Sequence, residues 1–134
     1  MGYNIHVLKK NVRIKKENFK DIAKEIWKVV SKQRLSWTDS DVLLRECSTA
    51  NIEAIFEELM WPIANYDNCG NIINLEYDAP DKKLGDECIW MDAIAPFIES
   101  GSFIEILGED GEMWRWVFND GKMKEIYPKI SWEP

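Results

Sequence analysis

Histidine is almost missing from this chain: His6 is the single one in 134 residues. A lone imidazole in a strand pattern, with no serine or cysteine in a nucleophile motif, gives no basis for triad-type hydrolysis. Glycine is scarce as well, at seven residues. None of it forms a phosphate-cradling loop, because GEDG (108–111) sets carboxylates where a phosphate would need bare amides. The three cysteines, Cys47, Cys69 and Cys88, are odd in number and far apart. Without a CxxC or Cys/His grouping they offer no structural zinc site, and they read as reduced, partly buried thiols. No apolar run approaches the roughly 20 residues of a membrane-spanning helix. MGYNIHVLKK lacks a signal peptide's apolar core, and His6 stands where a myristoylation signal needs Ser or Thr. Catalysis, cofactor, metal and membrane are therefore not expected, and the compartment expected is the cytoplasm.

Basic residues are the minority, 17 against 24 acidic ones, for a net charge of −7. Such a surface repels nucleic acid and steers toward basic partners. KKNVRIKK (9–16) is the exception, and it reads as a short solvated connector.

What the chain does have is periodicity. YNIHVL (3–8) alternates as a strand does, with Tyr3, Ile5 and Val7 on one face. From Glu17 to Lys32, apolar residues recur at three and four, the mark of an amphipathic helix. RLSWTDSDVLLREC (34–47) fits either a short helix capped at Asp39 or Ser40, or a strand. Ser48 or Thr49 is the expected cap of a helix over ANIEAIFEELMW (50–61), ended by Pro62. PIANYDNCGNIINLEYD (62–78) reads as a hairpin turning at Asn68-Cys69-Gly70. Asp86 is the expected cap of a third helix, which buries Ile89, Trp90, Ala93, Ile94 and Phe97 and ends near Pro96.

SFIEIL, MWRWVF and KMKEIY then make three strands joined by GEDG and NDG, both hairpin signals. These patterns predict one α+β domain over 1–134. Its sheet is mainly antiparallel, about three helices pack on one face, and a three-stranded meander closes the chain. Three-residue loops at 109–111 and 119–121 would line up Glu105, Arg115 and Glu125 across the meander. They would put Ile104, Ile106, Trp114, Trp116, Phe118 and Ile126 on the other face. Two-residue turns would set Glu105 and Glu125 against Trp116, a poorer exchange. The acidic loop lacks the ligand spacing and flanking helices of an EF-hand, so turn chemistry accounts for it.

Seven tryptophans are many for this length: Trp27, Trp37, Trp61, Trp90, Trp114, Trp116 and Trp132. Trp114 and Trp116 on one strand face most simply build core. Trp90, beside the apolar stripe of its helix, is the candidate for an exposed anchor.

The segment IAPFIESGSFIEILGEDGEMWRWVFNDGKMKEIYPKISW (94–132) resembles the C-terminal part of small uncharacterised bacterial proteins of immunity or accessory type. The resemblance implies a partner rather than a reaction. Charge and expected exposure name the candidate contacts: Glu53, Glu57, Glu58, Asp67, Glu109, Asp110 and Glu112, with Trp90 as anchor. The functional expectation is a non-catalytic acidic protein-binding domain, an immunity or inhibitor protein for a basic partner. The alternatives are a small-ligand or carbohydrate-binding domain using exposed tryptophans, and a self-associating structural subunit.

Overall fold

The computed structural model describes residues 3–36, 38–78 and 83–133, without the side chains of Lys83 and Leu84. Trp37 lies outside the described residues. The chain forms strand β1 (Tyr3–Asn11), β2 (Arg13–Ile14), helices α1 (Phe19–Lys32), α2 (Ser40–Ser48) and α3 (Ile52–Glu58), and strands β3 (Ile72–Ile73) and β4 (Lys83–Leu84). Helix α4 (Glu87–Ile94) follows, and β5 (Ser102–Gly108), β6 (Met113–Asn119) and β7 (Lys122–Ile126) complete it. The main sheet has the order β4-β1-β5-β6-β7, and all its pairings are antiparallel. The fold is α+β with a C-terminal meander. It holds four helices among the described residues rather than three, because the ambiguous 34–47 segment resolves as α2.

Capping explains that outcome. Asp39 accepts the amides of Asp41 and Val42, which satisfies donors a helix start leaves free. Asn51, not Ser48 or Thr49, caps α3 through the Ala54 amide. The two hydroxyls are engaged in the turn before it: Ser48 donates to the Leu44 carbonyl, and Thr49 donates to that of Glu46. Asp86 does not cap α4 with its side chain; its carboxylate accepts the Ser36 amide at 2.7 Å. The 62–78 hairpin forms, with bridges Ile63–Leu75 and Tyr66–Ile72 and backbone bonds from Ala64 to Asn74 and from Ile73 to Asn65, and its β3 also pairs with β2.

One face of the sheet is covered. Ile5, Ile104, Ile106, Trp114, Trp116 and Phe118 pack there against Ile22, Ile26, Phe56, Trp61 and Trp90. Strand β6 alternates between buried and solvent-facing residues, as a sheet with one wet face requires.

The first meander loop is as expected. Leu107 faces Met113, and Gly111 is left-handed at φ 87°. The second is not. Asp120 and Gly121 both have positive φ, and Asn119 pairs with Lys122. That is a two-residue turn of the primed kind, whose twist matches the strands. The slip flips β7: Ile126 falls opposite Arg115 on the open face, and Glu125 falls opposite Trp116 on the covered one. The exchange is tolerable because the Trp116 indole N–H donates to Glu125 Oε1 at 3.0 Å. Glu105 and Arg115 do pair, at 2.7 Å, and Arg115 lies 5.5 Å from the Phe103 ring centre.

Candidate functional site

Three carboxylates crown the tip of the β5–β6 hairpin. Glu109, Asp110 and Glu112 are all exposed, and none joins an ion pair found among the described residues. The tip is held in place from β1: Tyr3 donates its hydroxyl to Asp110, and the Glu109 amide bonds the Asn4 carbonyl at 2.9 Å. That contact keeps the Asp110 carboxyl below the usual carboxylate range and pushes the Tyr3 hydroxyl up to about 12. The Tyr3 ring also fills the space beside Gly108, where an added Cβ would fall 1.9 Å from its hydroxyl oxygen.

Immediately after Glu112 the open face of the sheet carries an apolar groove of about 290 Å³. Met113, Ile126, Tyr127 and Pro128 line it, with the Glu105–Arg115 pair beside them. Met113, Ile126 and Tyr127 stay 36%, 42% and 53% exposed. The Tyr127 hydroxyl donates to Glu125 at 2.5 Å and is pushed up to about 12, chiefly by that bond. This groove escaped the sequence reading because the assumed loop put Ile126 on the covered face.

The other expected contacts do not gather here. Glu58 sits where α3 ends near the start of α2, its carboxylate reached by the Asp39 amide at 3.4 Å. Glu57 is exposed on α3. Glu53 accepts the Tyr66 hydroxyl at 2.9 Å. Asp67 is occupied by its own turn, accepting the amides of Cys69 and Asn71 and the Asn71 side chain, each at 2.9 Å. The same Asn71 bonds the Lys16 amide, so Asp67 belongs with the lysines at the start of α1. Trp90 is no anchor: it is 3% exposed, its ring 6.1 Å from Phe56. The stripe that α4 buries is Glu87, Trp90, Met91 and Ile94, which leaves Ile89 outward. That spacing follows the helical repeat once Glu87 is admitted to the interior.

Glu87 is the unexpected member. It is 5% exposed and accepts the Trp61 indole N–H at 3.2 Å and the Gly85 amide at 2.6 Å. The Trp61 ring lies tilted against Tyr77, 4.7 Å between centres, and approaches Trp116 at 6.4 Å. Burial pushes the Glu87 carboxyl above its ordinary 4.5 despite these donors. Burial and the Glu87 charge together raise the Tyr77 hydroxyl. A raised folded-state pKa means that the native protein holds this proton to higher pH than the unfolded chain does. The stabilisation is complete below about 4.5 and is lost as pH rises through the raised value. Glu87→Gln should therefore gain on the wild type as pH rises from 4 to 8 in urea titrations. A stability difference constant across that range would contradict the assignment.

The indoles of the sheet form a natural contrast. Trp116 donates to Glu125, whereas Trp114 Nε1 is buried with no hydrogen-bond partner among the described residues. Glu125 is exposed and can turn to water, so removing its bonded donor loses only that charge-assisted hydrogen bond, while removing an orphan donor releases a desolvation penalty. Trp116→Phe should destabilise by at least about 1 kcal/mol more than Trp114→Phe in equilibrium unfolding.

Of the seven tryptophans, Trp61, Trp90, Trp114 and Trp116 are buried, while Trp27 and Trp132 are exposed. Cys47 is buried, and its thiol is pushed up to about 11 by that burial. Cys69 and Cys88 are exposed, and all three cysteines are free. Among the described residues, no group of three or more His, Cys, Asp or Glu side chains is arranged to hold a metal ion. No described helix is long and apolar enough to cross a membrane. No protein-family model matches the sequence, and neither a curated protein nor a solved structure matches it.

Proposed function

We propose that this chain is a non-catalytic, acidic protein-binding domain that captures a basic partner, in the manner of an inhibitor or immunity protein. The observation that carries the reading is the juxtaposition at Glu112–Met113. Glu112 adjoins Met113 at the end of an exposed apolar groove, Glu109 and Asp110 share its hairpin tip, and none of the three joins an ion pair among the described residues. An apolar centre with a charged rim is the anatomy of a protein-recognition patch, with affinity concentrated at a few anchored side chains. The carboxylates supply steering and register, and the groove takes a large apolar or aromatic side chain of the partner. The net charge of −7 extends the same preference over long range.

Affinity capture from the source cell's lysate, at low and at high salt and read by mass spectrometry, tests this. A stoichiometric basic protein whose yield falls with salt, and which Met113→Asp fails to retain, is the expected result. Recovery of no partner at either salt would count against the reading, as would a partner indifferent to Met113→Asp.

A further inference from the structure

Strand β7 is one edge of the sheet, paired among the described residues with β6 alone. Across a two-residue hairpin, the residues flanking the turn exchange both hydrogen bonds. Asn119–Lys122, Val117–Lys124 and Arg115–Ile126 are then the bonded pairs. Lys122, Lys124 and Ile126 aim their backbone groups at β6, so Met123, Glu125 and Tyr127 aim theirs outward. Pro128 falls on the inward side, where it has no N–H to continue the ladder. That is why β7 stops at Ile126. The outward side keeps every N–H. In the sequence beyond the strand, the apolar residues Pro128, Ile130 and Trp132 fall in step with Ile126. Ile130 is 85% exposed and Trp132 92%.

We infer that this edge and tail pair antiparallel with the same segment of a second copy, about a twofold axis at Tyr127, joining two sheets into one. Charge selects the register. With the axis at Tyr127, Glu125 of each copy lies opposite Lys129 of the other. An axis at Glu125 sets two glutamates opposite each other. An axis at Lys129 sets two lysines opposite and Glu125 against Glu133. Axes at Ile126 or Pro128 pair no opposite charges. Unlike cross-strand pairs are favourable and like ones unfavourable. The same register places Pro128 in a non-bonded pair, where its missing N–H is not needed. It also lays the Lys122 stem over Trp132 of the second copy, and that of Lys124 over Ile130, covering the apolar stripe. Lysines on an edge strand ordinarily discourage pairing. Here each meets an apolar side chain rather than another lysine.

The inference shares Ile126, Tyr127 and Pro128 with the groove but needs no basic partner. Sedimentation velocity of the full chain over a concentration series tests it. The wild type is expected to pass from monomer to dimer. Lys129→Glu and Ser131→Pro alter only the exposed tail, and each should raise the dimer dissociation constant by about tenfold. Adding Glu125→Lys to Lys129→Glu should restore most of that loss, since the pair is re-formed with its signs exchanged. If Glu125→Lys disturbs folding through Trp116, the two tail variants decide alone. A wild type that stays monomeric up to about 1 mM overturns the inference. So does a dimer that both tail variants leave unchanged.

Discussion

Trp61→Ala is expected to lower the unfolding free energy by about 3–5 kcal/mol, the range for deleting a large buried aromatic side chain. Trp61 is fully buried at the junction of α3, α4 and the sheet, packed on Tyr77 and Trp116. Its loss opens a cavity there and also strips the Trp61 N–H from the buried Glu87 carboxylate. An unsatisfied buried charge adds its own desolvation cost, so the effect should lie at the upper end of the range. Trp61→Phe separates the two contributions. It retains most of the ring but not the donor, and should cost about 1.5–3 kcal/mol, as for hydrogen bonds to charged groups. Combined with Glu87→Gln, the Phe variant should lose part of that cost, because the charge that needed the donor is gone. Denaturant titration of the four proteins checks it. Equal effects of Trp61→Phe with and without Glu87→Gln would remove the coupling.

Reversing the hairpin-tip charges with Glu109→Lys and Glu112→Lys together should slow capture of the basic partner by at least about tenfold at low salt. Both side chains are exposed and neither joins an ion pair among the described residues, so the fold should be unaffected. Asp110 is left in place because it holds Tyr3. The deficit should shrink as salt rises, since exposed charges more than about 10 Å apart are screened near 0.1 M. Stopped-flow association with the partner recovered by capture is the measurement. Groove variants such as Tyr127→Ala should instead act mainly on dissociation. An association rate independent of both salt and the two substitutions would remove the hairpin tip from the interface.

Most elements were legible in the residues themselves; 34–47, which fits helix or strand equally, was not. The three-and-four spacing in α1, the alternation in β1 and β6, and the Asp-Gly turn signals each depend on local backbone geometry that a short stretch of chain sets. The first hairpin was also legible down to its register, since Gly111 closes a three-residue loop. The acidic tip could be read for the same reason: turn residues are exposed, and so are their carboxylates.

Tertiary structure decided the rest. Whether 119–121 closes with two residues or three rested on Asp120 accepting a positive φ, and that one-residue choice moved Ile126 from core to groove. It also required the Trp116–Glu125 bond, a partnership between strands that no local pattern records. Trp90 was turned inward, and Glu87 buried, by how α4 rotates against α3 and the sheet. The chain alone thus determined what most segments are, α2 excepted, because propensity and turn chemistry act within a few residues. Which face each segment shows to water was decided by packing and by hydrogen bonds between residues far apart in sequence, and the candidate surface lies on the faces so chosen.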